Sequence, residues 1–142
     1  MKIVFCGSMS ASKEMVEAEK NLKKLGYETV IPSFVERYAK MEVDSIVKMS
    51  AESTRDKMEH DLIRGYFNKI KDSDAILVVN VERRGVKGYV GGNSFLEMGF
   101  AFILNKPIYL LNEIPDMGYK DEIVAMRPVI LNGDFKKVKS KI

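Results

Sequence analysis

Five short apolar runs rich in β-branched residues, at 2–6, 27–31, 75–80, 107–111 and 128–131, are separated by segments whose apolar residues recur at helical spacing. Strands that alternate with helices do not pair as hairpins; they need crossover connections and specify a parallel sheet covered on both faces. The expected architecture is one doubly wound α/β domain, flavodoxin-like or Rossmann-like, over residues 1–142, with five parallel strands in the order 2-1-3-4-5. In that order the chain leaves strands one and three in opposite directions, and a crevice opens at their carboxyl ends. Its lining is predicted to come from residues 7–13 and 80–97.

Between the strands, residues 12–25 read as a first helix stopped by Gly26, followed by helices over 54–71, 94–104 and 121–126. The polar, methionine-containing stretch 34–53 has no periodicity that assigns it. A length of 142 residues with 46% hydrophobic content supports one core. The lone cysteine, Cys6, excludes an intramolecular disulfide and a four-cysteine zinc site. No signal-like or membrane-spanning run is present, so a cytoplasmic protein without membrane contact is expected. The net charge of +3 arises from 23 basic and 20 acidic residues mixed along the chain, a solubilising pattern that does not predict nucleic-acid binding. Lys136, Lys137, Lys139 and Lys141 read as a solvated tail, whereas Arg83, Arg84 and Lys87 fall in a long loop, 81–90, over the crevice. That loop is expected to form a lid whose cations either grip a phosphate or keep it solvated.

On the first wall, Gly7, Ser8 and Ser10 form a small-residue turn into a helix N-terminus, suited to an anion or polar ligand, with Ser12 as an alternative N-cap. The turn matches neither a Walker A loop nor a dinucleotide fingerprint, and a flavin relative is disfavoured by the poor phosphate loop and the lack of tryptophan. Strand three ends in Asn80 where a phospho-acceptor would carry aspartate. On the second wall, Gly91, Gly92, Asn93 and Ser94 lead into the helix that carries Glu97. Either Ser94 caps that helix with Glu97 as its capping-box partner, or Glu97 projects from the first turn as a nucleophile toward an anomeric carbon. Asp74 opens strand three at the far end of the sheet and is rejected as catalytic. His60, Cys6 and the methionines Met9, Met98 and Met117 read as surface or packing residues.

The turn Phe5-Cys6-Gly7-Ser8, the segment Lys71-Asp72-Ser73-Asp74 before Ala75-Ile76-Leu77-Val78-Val79, and Glu97-Met98-Gly99-Phe100-Ala101 together make the chain resemble the nucleoside 2-deoxyribosyltransferase-like superfamily, which includes the 2′-deoxynucleoside 5′-phosphate N-hydrolases. The resemblance implies that Glu97 is a nucleophile forming a glycosyl-enzyme intermediate. It implies cleavage or transfer at the N-glycosidic bond of a nucleoside or nucleotide, without metal or organic cofactor, in a homodimer or higher homo-oligomer whose sites are completed by residues 112–126 of a neighbour. The family's nucleophile-orienting tyrosine falls on Val4, its phosphate-binding arginine on Ser10 and its neighbouring-subunit serine on Val124. Its second carboxylate falls on Tyr66, a candidate donor to the leaving base, with Asp61 further up the same helix. A non-catalytic nucleotide-binding module of the same fold is the alternative.

Overall fold

Alternation along the strands sorts the core into two layers. β1 (Lys2–Cys6) sends Ile3 and Phe5 to one face and Val4 and Cys6 to the other, all at most 1% exposed. In the computed structural model, which describes residues 1–39 and 61–139, β1 pairs in parallel with β2 (Glu28–Val30) and with β3 (Ala75–Val78). β4 (Ile108–Leu110) and β5 (Val129–Ile130) continue the sheet, which has the order β2-β1-β3-β4-β5 and is parallel throughout. The expected doubly wound α/β fold is therefore the observed one. β1 matches its apolar run, whereas β2 to β5 are shorter than theirs by one residue at each end or, in β3, by two at the carboxyl end.

On the first face, Ile3, Phe5, Ala75 and Leu77 pack under Ala11 and under Met15, Ala18 and Leu22 of α1 (Ser12–Lys24). Val35 of the short α2 (Val35–Tyr38) and the C-terminal Val138 close that layer, and the Tyr27 hydroxyl donates to the Val138 carbonyl at 2.8 Å. On the second face, Val4, Cys6, Ile76 and Val78 lie under Ile70 of α3 (Leu62–Lys71), Met98 and Ala101 of α4 (Gly92–Ile103), and Ile123 of α5 (Lys120–Ala125). Phe67 of α3 meets Phe100 of α4 edge-on, with ring centroids 5.3 Å apart. Because α3 runs antiparallel to the strands, its first turns stand at the carboxyl end of the sheet, as do those of α4. The early part of the helix expected over 54–71, the stretch 40–53 and His60 lie outside the described residues, as does Lys141.

The crevice is shaped by one side chain. Asn80, 1% exposed, follows β3, and its amide donates to the carbonyls of Gly88, Asn112 and Glu113 at 3.0–3.2 Å. Its oxygen accepts from the Asn112 backbone at 2.8 Å, and the Asn112 amide returns a bond to the Asn80 carbonyl at 2.8 Å. The loop after β3 is thereby tied to the loop after β4. Gly88, with φ of +68°, packs so closely against the second loop that a Cβ there would lie 2.3 Å from the Glu113 carbonyl oxygen. Replacing Asn80 by alanine would strand several buried backbone groups, at a cost of about 3 kcal/mol. We expect Asn80→Ala to lower the melting temperature by about 10 °C and to open residues 81–91 to proteolysis, measured by calorimetry and limited digestion.

Candidate functional site

At the carboxyl ends of β1 and β3 the backbones approach closely. The Val79 amide donates to the Cys6 carbonyl at 2.8 Å, and a Cβ on Gly7 would stand 3.2 Å from the Val79 carbonyl oxygen. The chain then makes a 3₁₀ turn at Met9–Ala11 before α1. Ser12 is the first residue of that helix, not its cap; Ala11 is the N-cap, and the Ser12 hydroxyl donates back to the Met9 carbonyl at 2.6 Å. Ser8 and Ser10 share a hydrogen bond of 2.7 Å between their hydroxyls. Gly7, Ser8 and Ser10 thus stand together on the first wall, as expected.

The second wall differs from expectation in its helix start. α4 begins at Gly92 with Gly91 as N-cap in extended conformation, and no side chain caps it. Ser94 is 5% exposed and lies within the first turn. The capping box between Ser94 and Glu97 is therefore absent, and Glu97 belongs to the second turn instead of the first. The helix starts two residues upstream of the expected serine cap, taking in Gly92 and Asn93, so Ser94 falls inside its first turn. A Cβ at Gly92 would meet nothing within 4 Å, so packing does not demand glycine there. Gly92 and Asn93 are exposed, and the first-turn amides of α4 face the crevice end of the sheet without a capping side chain.

Glu97, half-buried, stands beside the end of β1. Cys6 lies near Glu97: burial first, then the charge of Glu97 and hydrogen bonding to it, push the thiol well up from its ordinary value. Tyr66 of α3 completes the group: its hydroxyl donates to the Phe5 carbonyl. Burial, followed by the proximity of Cys6 and Glu97, pushes the Tyr66 phenol far up. The fold thus joins Glu97 and Tyr66, as the sequence predicted, and adds Cys6, which alternation along β1 placed on this face but which read only as a packing residue. Met98 is fully buried beneath them.

Asp61 takes another place. It precedes α3 in a left-handed conformation, with φ of 46°, and its carboxylate pairs with the exposed Arg64 at 2.5 Å. Asp74 is exposed at the amino end of the sheet, where it accepts from the Lys2 amide at 2.6 Å. Asn80, expected among the ligand-binding residues, spends its amide on the scaffold instead. The loop expected to form a lid is a tight hairpin: Arg83 and Val86 bond reciprocally at 3.0 and 3.1 Å, with Arg84 and Gly85 both at positive φ. Arg83 lies over the Tyr89 ring at 5.8 Å with its Nε buried and without a hydrogen-bond partner, whereas Arg84 and Lys87 are exposed. Behind the hairpin, Tyr119 stacks on Phe95 at 4.4 Å and donates its hydroxyl to the Val90 carbonyl. No pattern in the sequence marks Tyr119, because its partners come from a distant loop.

Among the described residues no helix is long and apolar enough to cross a membrane. No protein-family model, curated protein or solved structure matches the chain.

The raised Cys6 and Tyr66 values fix the sign of an alkaline effect. Both groups ionise less readily folded than unfolded, so their contribution to stability is complete below the unfolded values, about 8.5 for the thiol and 10 for the phenol, and is lost as pH rises toward the folded ones. We expect the melting temperature to fall above about pH 8.5, and Cys6→Ser to remove the earlier-onset part of that fall. A thiol-reactive disulfide reagent should leave native Cys6 unmodified at pH 8 and label it on unfolding.

Proposed function

We propose that this protein cleaves or transfers at the N-glycosidic bond of a nucleoside, deoxynucleoside or nucleoside 5′-monophosphate, with Glu97 as nucleophile. The observation that carries the reading is the setting of Glu97. It is a half-buried carboxylate at the crevice end of the sheet, has no capping duty in its own helix and stands close to Cys6 and Tyr66. A carboxylate so placed attacks C1′, and the base departs with the electron pair of the glycosidic bond and gains a proton. Water or a second base then displaces Glu97 from C1′ and restores the carboxylate. Gly91 and Gly92, whose lack of side chains the packing does not require, leave room beside the α4 amides for the sugar or its phosphate. Arg84 and Lys87 on the hairpin are the cations available to a phosphate.

One observation favours the second reading, a nucleotide-binding module without catalysis. The Tyr66 proton is given to the Phe5 carbonyl and Asp61 is paired with Arg64, so neither offers a proton to a leaving base. Incubation with a panel of nucleosides and nucleotides, followed by chromatography of released bases, separates the two. We expect base release by the wild type and a loss of at least about 10³-fold in Glu97→Gln. The variant should keep its melting temperature, since no cap is lost. Tight binding of a nucleotide with no base released would establish the module instead.

A homodimer in a cytoplasmic setting belongs to the same proposal. Leu96 and Ile103, one helical stripe of α4 that also includes Gly99, are 46% and 78% exposed, and Phe102 beside them is 46% exposed. Val124 of α5, half exposed, lies within the 112–126 segment expected to complete a neighbour's site. Light scattering should report a dimer, and Ile103→Glu should shift it to monomer at the same concentration. An active wild-type monomer would refute the assembly.

A further inference from the structure

The buried residues of α4 are Ser94, Met98 and Ala101, spaced four and three apart, so they form the stripe of the helix that faces the sheet. Met98 and Ala101 pack in the apolar layer with Val4 and Val78. Ser94 stands one turn nearer the start of the helix, at the crevice end, where the strands stop. It is 5% exposed, and its hydroxyl has no hydrogen-bond partner among the described residues. Buried hydroxyls ordinarily have one. The amides of Gly92, Asn93 and Ser94 precede the first intrahelical bond, which the Phe95 amide makes to the Gly91 carbonyl at 2.9 Å, and no side chain caps them.

A second stranded donor comes from the hairpin. Arg83 Nε is buried without a hydrogen-bond partner, and the guanidinium lies over the Tyr89 ring. The same ring meets the start of α4, since a Cβ on Gly91 would stand 3.4 Å from Tyr89 Cε1. Tyr89 thus carries Arg83 to the mouth of the helix. A guanidinium N–H and a hydroxyl left unanswered in buried positions cost stability, so both point to a ligand that answers them.

We infer that Ser94 and Arg83 form a phosphoryl-binding site at the start of α4: Ser94 and the first-turn amides hold the oxygens from the helix side, and Arg83 holds them from the hairpin side. Three amides, a hydroxyl and a guanidinium offer more donors than the two oxygens of a carboxylate use. A phosphate monoester brings three oxygens and about 1.5 to 2 negative charges. Arg84 and Lys87, exposed on the same hairpin, draw an anion toward the site, while Arg83 is the cation held against it. Ser94 and Glu97 are three residues apart and share a helix face, so a phosphate at Ser94 lays the sugar it carries toward Glu97. The choice of a nucleoside 5′-monophosphate over the nucleoside rests on the reading of Glu97 as nucleophile; the anion site itself does not.

Inorganic phosphate tests the site on the unaltered chain and without turnover. In amide correlation spectra of the wild type, phosphate should shift the Gly92, Asn93 and Ser94 signals; shifts that miss these amides overturn the inference. In calorimetry a 5′-monophosphate should bind at least about ten-fold more tightly than its nucleoside. Ser94→Ala and Arg83→Gln should each remove most of that difference and leave nucleoside affinity within about two-fold. The Ser94 hydroxyl ties nothing in the scaffold, so Ser94→Ala should melt as the wild type does. Equal affinity for nucleoside and monophosphate, or variants that bind the monophosphate as the wild type does, also overturns the inference. The two failures are distinct. Phosphate shifts at these amides with no base released from any substrate remove the reading of Glu97 and keep the anion site. Base release at equal kcat/KM from a nucleoside and its monophosphate, with the amides unmoved by phosphate, removes the anion site and keeps Glu97.

Discussion

The parallel pairing of β1 with β3, from Ile3 opposite Ala75 to Cys6 opposite Val78, is the constraint on which the rest of the molecule depends. It joins two strands whose chains leave in opposite directions, β1 toward β2 and β3 toward β4. Their carboxyl ends therefore cannot be bridged by a common connection, and the gap between the departing loops is the crevice. The same pairing aligns the side chains of both strands by face. Val4, Cys6, Ile76 and Val78 form the floor on which α3 and α4 lie, while Ile3, Phe5, Ala75 and Leu77 form the floor for α1.

From that floor the placement of Cys6, Tyr66 and Glu97 follows. Cys6 ends β1, so its side chain emerges where the sheet stops and the helical layer continues. The first turns of α3 and α4 lie at this end because each helix returns antiparallel to the strands. Packing between them, marked by the Phe67 and Phe100 rings, brings Tyr66 and Glu97 over the same strand end. Electrostatics then acts locally. Burial pushes the thiol and the phenol toward their protonated forms, and the phenol donates to the Phe5 carbonyl.

A second set of bonds holds the other side of the crevice. Asn80 binds the β3 and β4 loops, Tyr119 reaches the Val90 carbonyl, and the hairpin at Arg83–Val86 stands on that base. The loop is ordered by backbone pairing and by a buried amide, so the cations it carries are displayed from a fixed frame. Its stiffness has a cost in the conformations available: Arg84 occupies the left-handed region, which non-glycine residues rarely adopt.

The sequence by itself determined the layers, the strand order, the location of the crevice and the presence of Glu97 at it. These features are written in local periodicity, in the alternation of strands with helices and in the chirality of their connections, none of which needs a distant partner to be read. Tertiary structure alone decided what each polar group does there. Ser94 was displaced as a cap when Gly92 and Asn93 entered the helix, Asp61 was turned to Arg64, and Asn80 was absorbed by the loop after β4. Cys6 came to lie near a carboxylate 91 positions away along the chain. A side-chain hydrogen bond depends on where the nearest acceptor lies in space, and that is set by the packing of whole elements, which no short window of sequence records.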